Sequence, residues 1–116
     1  MEQRRGAERR DFPRIGVTFT LTIAFSGGES DGDGRLVNLS PAGCAIYSSK
    51  KVEEGACMLL HIHPPDGEPP IMIETAEVKW IAGQDFGVEF LTVAPEEEER
   101  VQELLHVLRT KYNLAV

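Results

Sequence analysis

Apolar and polar residues alternate along the first part of the chain, and this alternation predicts a strand. Residues 15–25 read Ile-Gly-Val-Thr-Phe-Thr-Leu-Thr-Ile-Ala-Phe, with apolar side chains at nearly every second position. A period of two places these side chains on one face of an extended chain. Thr18, Thr20 and Thr22 fall on the other face, which suits an antiparallel sheet with one side in water. We therefore expect a long first strand with one buried face.

Five more segments have strand character and are separated by residues that favour turns. They cover residues 35–39, 43–48, 56–63, 71–82 and 86–90. The stretches between them are rich in Gly, Asp, Pro and Ser, so we interpret residues 26–34 and 64–70 as loops.

The phase of the alternation slips inside the segment 71–82. Ile71 and Ile73 share one parity, whereas Val78 and Trp80 share the other. One extra residue in a strand restores a common face, so we predict a β-bulge near residues 74–76.

The C-terminal part of the chain changes from a period of two to a helical period. Its apolar residues recur at the spacing of an amphipathic helix, at Val101, Leu104, Leu105, Leu108 and Tyr112. Pro95 suits the first helical position, and the acidic run 96–99 suits the positive end of the helix dipole. We predict a helix over 95–112. Its apolar face could cap the sheet or form a dimer contact, and the pattern leaves both open.

These elements fit one domain, since 116 residues leave no room for a second core. About six antiparallel strands and a terminal helix predict an all-β fold, a small closed or nearly closed barrel capped by a C-terminal α-helix. We divide the chain into a flexible Arg-rich segment 1–14, a barrel 15–94 and a helix 95–112. No apolar run is longer than five residues and no signal peptide is evident, so we expect a cytoplasmic protein with no membrane insertion.

Net charge is −7, but it is unevenly distributed. Residues 1–14 hold five Arg and three acidic residues, a net +2, whereas the remainder holds 7 basic and 16 acidic residues, a net −9. The acidic body argues against a general nucleic-acid binder. The basic segment indicates a discrete anion site, because the planar guanidinium suits phosphate and purine edges. A solvated, disordered basic tail is the alternative.

Candidate residues for catalysis or metal binding are few. His61 and His63 share one strand face, but no third metal ligand is evident. The apolar residues Met58, Leu60 and Ile62 lie on the opposite face, so we expect the two histidines to face solvent. Cys44 and Cys57 lack metal-site spacing, and we expect both to be free, buried thiols. We therefore expect no enzyme activity, no catalytic residue, no metal and no cofactor.

Two motifs carry more information. Arg10 and Arg14 form an R-x-x-x-R stretch directly before the first strand, and Asn38, Ser40 and Gly43 form an N-x-S-x-x-G turn. Asn38 and Ser40 have the same parity and can point off one face. Each motif alone could be structural, because Asn, Ser and Gly are ordinary turn residues.

Together with a late V-x-W and G-V-x-F hairpin, the two motifs resemble the PilZ domain, the bacterial receptor for cyclic di-GMP. The resemblance runs over residues 8–91 and shows no departure at the key positions. It implies a six-stranded antiparallel β-barrel with cyclic di-GMP held across its outer surface.

Residue roles follow from the resemblance by motif position. Arg10 and Arg14 would clamp the phosphates and guanine edges, Asn38 and Ser40 would hydrogen-bond the ligand, and Gly43 would allow close approach. Arg9 occupies the position that resembles the selector for a stacked ligand pair, which implies two cyclic di-GMP molecules per site.

The leading hypothesis is a cyclic di-GMP adaptor that orders residues 1–14 on binding and signals through an unidentified effector protein. The alternative is a PilZ-like interaction module of pilus or motility machinery that binds no nucleotide. A barrel that binds single-stranded nucleic acid is disfavoured by the acidic body and by only eight aromatic residues. Both monomer and homodimer fit the sequence.

Overall fold

The computed structural model describes residues 15–16, 21–27, 31–65 and 67–110. In this part of the chain seven strands precede one helix. The elements are β1 (Ile15–Gly16), β2 (Thr22–Ser26), β3 (Gly32–Ser40), β4 (Gly43–Tyr47), β5 (Cys57–Ile62), β6 (Ile71–Ala82), β7 (Asp85–Thr92) and α1 (Pro95–Thr110).

Six of the strands close into an antiparallel barrel. The ladder runs β3-β2-β5-β6-β7-β4, and a further pairing of β4 with β3 closes the circle. The short β1 pairs with the end of β3, on the same side of β3 as β2. The predicted six-stranded antiparallel barrel with one C-terminal helix is therefore confirmed. Among the strands of the described residues, closure leaves no long edge exposed to another chain.

The alternating apolar residues of the strands form the core inside the barrel. Ile23 and Phe25 of β2 and Leu60 and Ile62 of β5 are all at most 2% exposed. The Phe25 ring meets the ring of Phe86 edge to face, with centroids 5.6 Å apart. Burial of these side chains away from water provides the main driving force for closing the sheet.

The predicted bulge in β6 is present. Met58 pairs with Ala76, but Leu60, two residues later in β5, pairs with Ile73, so β6 carries one extra residue between positions 73 and 76. Ile73 and Ala76 are consequently both buried although they differ in parity. This is the place where the apolar phase slips in the sequence.

A second bulge in β6 does not follow from the sequence pattern. Val78 pairs with Val88, and Trp80 pairs with the next residue of β7, Gly87, so that Lys79 is the extra residue. Val78 is buried as expected, whereas Trp80 is 39% exposed. The shared parity of Val78 and Trp80 predicts that both side chains face the core, but the bulge turns Trp80 outward.

Helix α1 caps one end of the barrel. Its apolar face joins the barrel core through four buried side chains, Val101, Leu104, Leu105 and Leu108. Tyr112, the fifth residue of the predicted face, lies outside the described residues. The capping alternative left open by the sequence is the one observed. No helix in the described ranges is long and apolar enough to cross a membrane.

Polar contacts fix α1 against the start of β6. A carboxylate oxygen of Glu97 accepts a hydrogen bond from the backbone N–H of Met72 at 2.9 Å. The Arg100 guanidinium donates to the carbonyl of Pro70 at 2.9 Å and also to the carbonyl of Pro69. The proline-rich loop before β6 is thereby tied to the helix, because prolines leave carbonyls to accept but no N–H to donate.

Two expectations from the sequence are wrong in detail. Strand β3 begins at Gly32, inside the segment expected to be a loop, because Ala24 pairs with Asp33 and the Asp33 carbonyl accepts a hydrogen bond from the Ser48 hydroxyl at 2.6 Å. Both cysteines are free, as expected, but only Cys44 is buried. Cys57 is exposed because it alternates with the buried Met58 and therefore faces outward.

Candidate ligand-binding surface

The N-x-S-x-x-G turn joins β3 to β4 at the barrel end that α1 covers. The Ser40 hydroxyl donates a hydrogen bond to the Gly43 carbonyl at 3.3 Å, and Ser40 is only 5% exposed. The backbone N–H of Phe90 donates to the Ala42 carbonyl at 2.8 Å. The turn is therefore held both internally and by β7, which gives it a fixed shape before any ligand arrives.

A bulge in β3 places Asn38 on the outer surface. Leu36 pairs with Ile46 and Asn38 pairs with Ala45, so β3 has one extra residue between these pairs. As a result Leu36 and Leu39 are both buried in the core although they are three residues apart. Asn38, between them, is half-buried. Asn38 and Ser40 share a parity, but they differ in exposure: Asn38 is partly exposed, whereas Ser40 is buried with its hydroxyl bonded to the Gly43 carbonyl.

The pairing of β1 with β3 places the residues that follow the first motif next to the second motif. Ile15 pairs with Leu39 and Gly16 pairs with Asn38. Cα atoms of antiparallel partners lie about 4.5–5.5 Å apart. Ile15 directly follows Arg14 in the sequence, so the described chain begins beside the turn, immediately after the R-x-x-x-R stretch. Arg9, Arg10 and Arg14 themselves lie outside the described residues, as does the rest of the segment 1–14.

Gly43 has a structural reason to be glycine. A Cβ atom at this position would collide with the carbonyl oxygen of Val88 on the neighbouring strand β7. The close approach of β4 to β7 therefore needs a residue without a side chain, whether or not a ligand approaches there too.

We expect Gly43→Ala to lower the free energy of unfolding by about 1–3 kcal/mol, the usual cost of overpacking. Urea unfolding followed by circular dichroism measures this. Ser40→Ala, which removes one hydrogen bond from the same turn, should cost less, about 0.5–1.5 kcal/mol. An unchanged midpoint for Gly43→Ala would show that β4 and β7 separate without cost.

A strip of cross-strand partners runs along the outer side of the barrel from beside the turn to Trp80. Its members Ala45 and Gly87 are small and buried. Successive cross-strand partners on this row are Gly16, Asn38, Ala45, Gly87 and Trp80. The Trp80 indole lies over Gly87, where an added Cβ would overlap the ring. Sequence reasoning did not assign Trp80 a place on this surface. The signal available was the pairing of a Trp with a Gly across a predicted hairpin.

An ion cluster lies beside this strip. The Lys79 ammonium nitrogen is 3.4 Å from a carboxylate oxygen of Glu89 and 3.6 Å from one of Glu77. The hydrogen bond to Glu89 and the negative charges of both carboxylates raise the pKa of Lys79, which therefore remains cationic at neutral pH. Glu89 is the cross-strand partner of Gly43, so the cluster borders the turn.

The opposite end of the barrel has a different character. The Arg35 guanidinium stacks over the Tyr47 ring at 4.7 Å, and the Tyr47 hydroxyl donates to Gln84 at 2.7 Å. A shallow cavity of about 230 Å³ lies near Gln84, lined by Ser48 and Lys51 among others. It is separated from the N-x-S-x-x-G turn by the length of β4, so it is not part of the same surface.

His61 and His63 stay on the outer side of β5, as predicted. Both are half-buried, while Leu60 and Ile62 next to them are fully buried. Within the described ranges no group of three or more His, Cys, Asp or Glu side chains is close enough to hold a metal ion.

Comparisons with known proteins agree on one family. A family model described as the PilZ domain matches residues 8–106. No relative was found among curated proteins.

Several solved structures share the fold. YcgR of Escherichia coli in complex with c-di-GMP has a TM-score of 0.76 and 18% identity, over 91% of this chain and 48% of that one. The Bacillus subtilis inhibitor of motility, MotI/DgrA, has a TM-score of 0.67 and 21% identity, over 91% of this chain and 52% of that one. The separate PilZ domain of YcgR from Escherichia coli with c-di-GMP has a TM-score of 0.69 and 19% identity, over 91% of this chain and 98% of that one. The chain thus spans about half the length of YcgR and of MotI/DgrA.

Proposed function

The chain belongs to the PilZ domain family, and on that premise we propose that it is a cyclic di-GMP receptor that works by binding rather than by catalysis. One observation carries the proposal. The β1–β3 register sets the residue that follows Arg14 opposite Leu39, next to Asn38 and Ser40. In our proposal two motifs that are 24 residues apart in sequence, from Arg14 to Asn38, therefore act together at one place on the barrel surface.

The chemistry of the two motifs suits a cyclic dinucleotide. Such a ligand carries two phosphodiester charges and two guanine bases. In our proposal Arg10 and Arg14 contact the phosphates and guanine edges, since a guanidinium can both pair with an anion and stack on a base. Asn38 and Ser40 offer an amide and a hydroxyl from the strand end. Gly43 has no side chain, so a flat ligand can approach the backbone at the turn.

Arg9 is proposed to select the ligand stoichiometry. It directly precedes Arg10 and would add a third guanidinium to the same edge of the site. Its position directly before the R-x-x-x-R stretch resembles the position that in this family selects a stacked pair of ligand molecules. We therefore propose two cyclic di-GMP molecules per site.

The receptor would signal by changing the surface beside the barrel. Residues 1–14 carry a net charge of +2 and few apolar side chains, so a dianionic ligand would neutralise and order them. An effector protein that binds this surface would then distinguish the ligand-bound from the ligand-free state. The body's net charge of −9 restricts anion binding to this segment.

Isothermal titration with cyclic di-GMP, cyclic di-AMP and GTP, side by side, tests the proposal. We expect binding of cyclic di-GMP alone, with about two ligands per chain, and about one ligand per chain in Arg9→Ala. A wild-type ratio near one would contradict the role of Arg9. Absence of binding to all three nucleotides would overturn the receptor function and favour a protein-interaction module.

A further inference from the structure

The cluster of Glu77, Lys79 and Glu89 places charge next to the candidate ligand surface without belonging to either motif. Glu89 is the cross-strand partner of Gly43, and Gly43 in turn is the partner of Ser40. Two strand spacings of about 5 Å therefore separate the Glu89 backbone from that of Ser40. At low ionic strength part of the field of such a charge still reaches an anion bound at the turn, since the screening length is about 10 Å at 0.1 M salt and longer in more dilute salt.

All three side chains of the cluster project from the outer side of the barrel. Val78 and Val88 point into the core, so their neighbours Glu77, Lys79 and Glu89 face outward. Lys79 and Glu89 are about half exposed. The extra residue that Lys79 represents in β6 places its ammonium group between the two carboxylates.

Lys79 is the only cation in contact with these carboxylates among the described residues. Arg100, by comparison, pairs with Glu97 and with the carbonyls of Pro69 and Pro70 at the start of β6. Without Lys79, the cluster would present two uncompensated negative charges beside the strip that runs from Asn38 to Trp80.

We propose that Lys79 is a positioning residue for anion binding, which holds Glu77 and Glu89 and keeps the net charge of the cluster at −1 beside the ligand. This inference rests on the proposed cyclic di-GMP function. Affinity for the dianion should therefore follow the total charge of the cluster rather than the identity of any one member.

Three variants give a graded series of cluster charge. Glu89→Gln raises the charge from −1 to 0, Lys79→Met lowers it to −2, and Lys79→Met combined with Glu89→Gln returns it to −1. Coulomb interaction in water at about 10 Å, reduced to about half by screening at 50 mM salt, corresponds to roughly a twofold change in affinity per unit charge for a dianion. We expect tighter binding for Glu89→Gln, weaker binding for Lys79→Met, and wild-type affinity for the double variant.

Isothermal titration with cyclic di-GMP at about 50 mM and at about 500 mM salt measures the series. Differences between variants should shrink at high salt because screening shortens the range of the charges. A merely structural role of the ion pairs gives another result, since the double variant would then bind no better than Lys79→Met. Equal affinities throughout, or weaker binding by Glu89→Gln, would overturn the inference. If the wild-type protein binds no cyclic di-GMP, the proposed function fails and this inference falls with it; if the wild type binds and the series is flat, the inference alone fails.

Discussion

Replacing Arg14 or Arg10 by alanine is expected to weaken cyclic di-GMP binding by about ten- to hundredfold in each case. Each change removes a charge-assisted contact to the ligand, which is worth about 1.5–3 kcal/mol. Isothermal titration of both variants against the wild type measures the loss. Native-like affinity in both variants would contradict the receptor assignment, because Arg10 and Arg14 are the residues proposed to contact the phosphates and guanine edges.

Lys51→Ala is the matched control for the arginine variants. It removes the same unit of charge, but from an exposed side chain beyond the far end of β4. Its effect on affinity should be less than twofold, since a screened charge on the other end of the barrel contributes little. An equal loss in Lys51→Ala and Arg14→Ala would mean that net charge governs binding, without a defined contact.

Leu108→Ala is expected to lower the free energy of unfolding by about 2–5 kcal/mol, the range for truncating a fully buried leucine. Leu108 has no exposed surface and packs in the same cluster as the barrel core. Chemical denaturation should show one cooperative transition at a lower midpoint, because α1 and the barrel unfold as one unit.

The solvent-facing Gln102 provides the control for the helix. Gln102→Ala keeps α1 helical and removes no core contact, so we expect a change below about 0.5 kcal/mol. Sedimentation of Leu108→Ala gives a second measurement. If the variant kept its stability and instead changed oligomeric state, the leucine face would be a subunit contact, contrary to the capping that is observed.

Elements whose apolar period was unbroken could be predicted from the sequence. The barrel class and the helix follow from such periods, because burying one face of each element is the dominant energy term, and the bulge near residues 74–76 follows from a slip in one of them. The bulge at Lys79 was missed, since its effect is to move Trp80 outward, and a single aromatic residue at a strand end leaves the period ambiguous. The early start of β3 was missed because glycines and aspartates favour loops unless a neighbouring strand pairs with them.

The candidate site was partly predictable for a different reason. Asn38, Ser40 and Gly43 belong to one turn, so their proximity follows from chain connectivity. That β1 would lie against Asn38 and Leu39 requires the strand order, which local pattern does not contain. The ion cluster around Lys79 depends on the second bulge in β6 and on the β6–β7 register, so it could be found only in three dimensions.

The anchoring of Ile15 opposite Leu39 limits how far each arginine can travel. An extended chain spans at most about 3.6 Å per residue. The Cα atom of Arg14 can therefore be at most about 4 Å, and that of Arg10 at most about 18 Å, from the Cα atom of Ile15. In the proposed site, this chain connection would present both arginines to the ligand at an effective concentration of the order of millimolar. Severed from the barrel, the same arginines would lose this advantage, so a peptide of residues 1–14 is a poor substitute for the intact protein.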